Sequence, residues 1–117
     1  MCYLCYIVVN QSLVVFVGDP VIVPEDVQVT IDCSQLIDAA IAGGTPNPTV
    51  TWYKNGVPIT NGSAKNVVIS PDNRFCIITD TLLAVGGQLG TDGNYSCQVC
   101  TSMECNITNS IHDVCGK

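Results

Sequence analysis

Hydrophobic and polar positions alternate along much of the chain. From Val27 the apolar positions are Val27, Val29, Ile31 and Cys33, with Gln28, Thr30, Asp32 and Ser34 between them. Successive side chains of a strand point to opposite faces, so a period of two predicts a strand with one face buried. Pro20 and Pro24 bracket a short strand before it. Thr49 to Lys54 predicts another, and Asn55-Gly56 between apolar runs predicts a tight hairpin into one more. "RFCIITDTLLAV" reads as two strands joined near Thr79-Asp80, "GNYSCQVC" as a further strand, and the tail after Cys105 as a weaker last one. The segment "SQLIDAAIAGG", residues 34 to 44, fits either a helical turn or a strand extension. Short strands with turns at a spacing of about 8 to 12 residues predict an all-β sandwich or barrel.

The N-terminal stretch "MCYLCYIVVNQSLVVFVG" is apolar but lacks a basic leading region, and Asn10-Gln11-Ser12 interrupts it. It reads as strand rather than as signal peptide or membrane helix. No other segment is long enough to span a bilayer as a helix, so no direct membrane insertion of this chain is expected. The chain is expected to be a piece of a larger protein.

Composition narrows the class. A length of 117 residues is one domain's worth, and 47% hydrophobic against 12% charged residues excludes disorder. With a net charge of −6 and four basic residues, the chain cannot neutralise a row of phosphates, so no nucleic-acid partner is expected. Eight cysteines in so short a chain predict an oxidising compartment. Four N-glycosylation triplets agree, at Asn10, Asn61, Asn94 and Asn106. The chain is therefore expected to be extracellular, either secreted or in the ectodomain of a cell-surface protein.

The cysteines bear on chemistry. On a strand through Cys97, Tyr95, Cys97 and Val99 share one face, and Cys100 falls on the other. A CxxC metal knuckle needs both thiolates converging on one ion, which a regular strand forbids. An inward cysteine on another buried strand is a sensible partner for Cys97, and Cys33 qualifies. Trp52, inward with Val50, would lie against that bond. Cys2-x-x-Cys5 lacks the βαβ context of a redox pair. His112, the only histidine, is expected on the surface on or near the last strand. No nucleophile elbow is present. The chain is expected to be no enzyme, to hold no metal or cofactor, and to take no small-molecule substrate.

Cys33, Trp52 in "VTWYKNG" and the run Asp92-Gly93-Asn94-Tyr95-Ser96-Cys97 fall in an order that resembles the immunoglobulin superfamily, most like its intermediate set. The resemblance runs from about Leu13 to Val99. It implies a two-sheet antiparallel immunoglobulin-like sandwich with Greek-key topology, occupying residues 13–117 after an N-terminal extension of residues 1–12. It further implies a Cys33–Cys97 disulfide, a tyrosine corner at Tyr95, and Trp52 in the core. "RFCII" is similar to the family's strand D, which implies an Arg74–Asp92 ion pair, Phe75 and Ile77 facing in, and Cys76 facing out. The sequence departs from the pattern in the long Cys33-to-Trp52 gap, in Gln88 at a usually apolar position, and in its six further cysteines.

The functional expectation is an extracellular module for protein recognition or cell and matrix adhesion, with homophilic binding left open. The alternative is a non-binding spacer or disulfide-cross-linked assembly module. A binding module should show an exposed apolar patch with uneven glycan coverage, and a spacer contacts mainly at its ends. Cys100 and Cys105 are expected to bond across their hairpin. Cys2 or Cys5 competes, because the N-terminus is expected at the same pole. Asn94 is expected to point outward and Asn61 to lie in a loop. The apolar insertion after Cys33 admits two readings. Leu36 and Ile37 extend the core, or Ile37 and Ile41 form a recognition patch with Met103.

Overall fold

A computed structural model describes residues 12–83 and 90–114. Within them the order is β1 (Ser12–Phe16), β2 (Val21–Val23), β3 (Gln28–Asp32), α1 (Ser34–Ala42), β4 (Thr49–Lys54), β5 (Val57–Ile59), β6 (Val67–Ile69), β7 (Phe75–Ile78), β8 (Gly93–Cys100) and β9 (Cys105–Val114). They form two sheets, ordered β1-β3-β7-β6 and β2-β9-β8-β4-β5. Inward residues of both sheets meet between them. Val21, Val23, Val29, Ile31, Trp52, Ile78 and Tyr95 are all buried. Cys33 and Cys97 are bonded across the sheets, with Cα atoms 6.4 Å apart. Trp52 is the direct cross-strand neighbour of Cys97, and its indole N–H donates to the Asn73 carbonyl at 2.9 Å. The Tyr95 hydroxyl donates to the Thr91 carbonyl at 2.6 Å, which forms the tyrosine corner. Asn55 and Gly56 take left-handed φ values of 52° and 80°, the twist that a two-residue hairpin requires.

Several expectations are corrected. "RFCII" lies between β3 and β6, and Cys76 and Ile78 are buried while Phe75 and Ile77 turn outward. The sequence reading had the strand one residue out of phase, and such a slip exchanges the two faces. Burial pushes the free Cys76 thiol up to about 12, so it is inert while folded. Arg74 pairs with Asp38 at 2.9 Å and not with Asp92. Its carbonyl accepts the Cys33 N–H beside the start of α1, whereas Asp92 precedes β8 at the other end of the sandwich. Thr81–Leu83 carry no strand. Thr81 instead closes a loop, its hydroxyl donating to the Pro24 carbonyl and accepting the Val27 N–H. β6 supplies the extra strand of that sheet. Gln88, Cys2, Cys5, Asn10 and Cys115 lie outside the described residues.

His112 is buried, not on the surface. Alternation along β9 turns Ser110 and His112 inward. Its Nε2 lies 3.2 Å from the Thr91 hydroxyl, and its ring meets the Tyr95 ring edge-on at 5.8 Å. Nδ1 is buried with no hydrogen-bond partner. Burial pushes the ring down to about 4; Asp92 opposes this and Lys54 adds to it.

β1 runs parallel to β3, and β2 runs parallel to β9. The turn between β1 and β2 therefore reverses the chain and carries it from one sheet to the other. Asp19 N–H closes the turn on the Phe16 carbonyl, and Gly18 N–H donates to the Ser110 hydroxyl at 2.7 Å. Gly18 sits at φ +104°, and a Cβ there would meet Thr108 Cγ2 at 3.2 Å. Gly18→Ala is expected to cost roughly 1–2 kcal/mol, read as a melting temperature lower by several degrees. An unchanged melting temperature would contradict this account of the turn. Ser12 lies beside Gln28 and Val114 beside Val23, so both described ends emerge at the pole away from α1. The expectation that the N-terminus, with Cys2 and Cys5, lies at the pole of the β8–β9 hairpin falls outside the described residues.

Candidate recognition surfaces

The insertion after Cys33 folds as a helix because its residues supply both ends. Asp32 Oδ1 accepts the Ser34 N–H at 2.8 Å. At the other end Gly44 takes φ +107°, and Thr45 N–H reaches back to the Ala40 carbonyl at 3.0 Å. Leu36, Ile37, Ala40 and Ile41 recur at helical spacing. Ile37 is 5% exposed and belongs to the core, which removes it from the expected patch. Leu36 and Ala40 pack partly against the same core.

Opposite α1 stands the β8–β9 hairpin. Cys100 and Cys105 are bonded with Cα atoms 4.0 Å apart. The Thr101 hydroxyl accepts the N–H groups of Met103 and Glu104, which fixes the tip. Met103 is 90% exposed there. A cleft of about 360 Å³ separates hairpin and helix, lined by Met103, Leu36, Ala39 and Ala40. Ile41 is exposed but does not line it. The structure thus brings Met103 to the helix, though against residues other than the two isoleucines.

A larger apolar surface was not anticipated. On the outer face of the four-stranded sheet, Val14, Thr30, Ile77 and Val68 are direct neighbours in one row across all four strands. Phe16, Asp32 and Phe75 form the next row. Val14 is 61% exposed and Phe16 49%. The one acidic residue in these rows, Asp32, is engaged at the start of α1. β1 ends the sheet order, so among the described residues no strand pairs with its outer edge. Its sequence, SLVVF, has none of the charges or prolines that usually protect an edge. Alternation about Val15 was the available signal. The rows themselves depend on register between strands distant in sequence.

The outer face of the five-stranded sheet is more polar. Tyr53 donates to Gln98 Oε1 at 2.8 Å, and Ser96 donates to Asn109. Its exposed Ile107 and Ile111 lie directly beside Gln98 and Asn94. Two glycosylation triplets begin on this sheet, at Asn94 and Asn106, and Asn61 follows β5. Asn61 and Asn106 are exposed. Asn94 lies on the outer face, next to the buried Tyr95 and across from the exposed Ile111. Its Oδ1 is buried, and its backbone N–H donates to Asn55 Oδ1. No described triplet lies on the four-stranded sheet.

Among the described residues, no group of three or more His, Cys, Asp or Glu could hold a metal ion. None of the described helices is long and apolar enough to cross a membrane.

The family described as the CD80-like C2-set immunoglobulin domain matches residues 16–103. The intermediate-set label of the sequence reading is a finer division than this match assigns. Fibroblast growth factor receptor homolog 1 of Drosophila melanogaster is 34% identical over 85 residues, which is 70% of this chain but 9% of that protein. The chain therefore spans a small part of that relative. Among solved structures, a chimeric titin Z1Z2 functionalized with an exogenous decorin peptide superposes with a TM-score of 0.59 at 17% identity, covering 88% of this chain and 93% of that one. The Ig-like domain of human leucine-rich repeat-containing protein 4 gives 0.57 at 16%, covering 84% and 82%. These structural likenesses concern the fold.

Proposed function

The chain belongs to the CD80-like C2-set immunoglobulin family, and on that premise we propose that it is an extracellular recognition module docking a protein partner on the outer face of its four-stranded sheet. The observation that carries this reading is the two-row apolar face of Val14, Ile77, Val68, Phe16 and Phe75, with the described glycosylation triplets elsewhere. The two disulfides and the likeness to part of a growth factor receptor homolog support an oxidising, cell-surface or secreted setting. The alternative of an in-line spacer fits less well. A spacer or disulfide-cross-linked assembly module makes its contacts at its ends and leaves the apolar face of the four-stranded sheet without a role. A second contact surface at the α1 pole is favoured by the exposure of Met103.

Charge substitution distinguishes the two surfaces. Val14→Lys with Phe16→Lys removes two apolar anchors, each contributing on the order of 1.5–3 kcal/mol when fully buried. Partner binding is expected to weaken at least about tenfold, with melting unchanged because both side chains are exposed. Met103→Glu is expected to leave binding intact. Sedimentation velocity reads self-association, and tetramers of the secreted domain on a panel of cell lines read binding to other proteins. Binding that survives the double substitution and disappears with Met103→Glu would move the site to the pole.

A further inference from the structure

The sandwich is open where β5, at the edge of one sheet, faces β6, at the edge of the other. The gap is a cleft of about 700 Å³, within the range of small-ligand sites. Val50, Trp52, Ile59 and Ile69 supply apolar walls. Thr51, Ser70 and Asn73 add uncharged hydrogen-bonding groups, and the lining contains no charged residue. Apolar walls with neutral polar groups suit a pyranose, whose C–H face is apolar and whose rim carries hydroxyls.

Asn61 is itself part of this lining and begins the triplet Asn61-Gly62-Ser63. All three residues are exposed. A tight turn holds them beside the cleft. Ser63 N–H and Ser63 Oγ both donate to the Thr60 carbonyl at 3.0 Å, Thr60 N–H donates to Ser63 Oγ at 2.9 Å, and Gly62 takes φ +84°. A sugar attached at Asn61 is thus tethered at the mouth of a site matching its chemistry.

We propose that Asn61 is N-glycosylated and that the first sugars of the glycan lie in the cleft between β5 and β6. In the transfer, the Asn61 amide nitrogen attacks the anomeric carbon of a lipid-linked oligosaccharide diphosphate. The new N–C bond replaces the C–O bond to phosphate, the lipid diphosphate leaves, and the amide loses one proton. The seated sugars cover Thr60, Val68 and Pro71, exposed residues of the lining, so the glycan completes the wall of the sandwich.

This inference rests on the extracellular reading, and a foreign secretion signal separates the two. Forced secretion from eukaryotic cells tests the site, whereas surface labelling of the native protein tests its location. Glycopeptide mass spectrometry should find Asn61 occupied in the wild type and in Ser63→Thr, and free in Ser63→Ala. Val68 lines the cleft and is 37% exposed, so nuclear Overhauser contacts between its methyl groups and sugar ring protons read the seating directly. Those contacts are expected in the wild type and in Ser63→Thr, and are expected to be lost in Asn61→Gln and Ser63→Ala. Enzymatic removal of the glycan from the folded wild type should shift the Val68 methyl resonances, independently of how the variants fold. An unoccupied Asn61, or an occupied one whose sugars make no contact with Val68, would overturn the proposal.

Discussion

Replacing Cys33 and Cys97 together by alanine is expected to lower stability by about 4 kcal/mol and the melting temperature by on the order of 15 °C. The bond closes a sequence separation of 64 residues, so in the unfolded chain it removes a large loop entropy. Both sulfur atoms also fill fully buried core positions. The Cys100–Cys105 bond closes a separation of 5 and is expected to contribute about half as much. Both residues of a pair should be replaced, because a lone thiol left at Cys33 or Cys97 shares the core cluster with the free thiol of Cys76. Urea denaturation of the two double variants supplies the comparison. If losing the hairpin bond costs as much as losing the core bond, the loop-entropy account fails.

Acidification is expected to remove about 3 kcal/mol through His112 alone. An unfolded histidine titrates near 6.5, whereas burial holds the folded ring near 4. Between those values the unfolded chain takes up a proton that the native chain refuses. The contribution of neutral His112 is therefore complete above about pH 6.5 and is lost as pH falls toward 4. The geometry gives the reason. A protonated ring would place a second N–H at Nδ1, where no acceptor lies within reach. His112→Gln does not titrate in this range and can still meet the Thr91 hydroxyl. Its stability should fall less steeply between pH 7 and 4 than that of the wild type. Parallel curves from urea titrations at several pH values would refute the assignment.

What the sequence discloses here is mostly what repeats at short range. Alternation in Val27–Cys33 and Thr49–Lys54 fixes which side chains face in, and Asn55-Gly56 fixes a turn. Cys33, Trp52, Tyr95 and Cys97 meet in the core as the resemblance implies. Where both alternating sets are apolar, periodicity loses its power. In β7 all four residues are Phe, Cys, Ile and Ile, and only pairing with Ile31 and Ile69 decides that Cys76 turns in. β6 is three residues long, too short for a pattern to emerge. His112 was misplaced because polarity outweighed its position two residues after Ser110 on an alternating strand. α1 did carry a signal, since apolar pairs four residues apart precede Gly43-Gly44. The apolar face on the four-stranded sheet had none beyond Val14 and Phe16. It is assembled from four strands between Ser12 and Ile78, in a register that pairing across the sheet sets.

That parallel pairing also determines how the domain responds to force. Traction on Ser12 and Val114 acts on neighbouring corners of one end rather than along the length of the sandwich. The β1–β3 hydrogen bonds are then loaded singly from the Ser12 end and part in succession, as in unzipping, instead of sharing the load in shear. Each step exposes one pair of backbone groups to water, so the resistance at any moment is that of about one bond. Unravelling from this side stops at Cys33, whose bond to Cys97 holds the rest together. The stretch from Ser12 to Asp32 can extend to roughly 70 Å at full length. Under tension from the Ser12 side the domain would release this stretch before load reaches the Cys33–Cys97 bond.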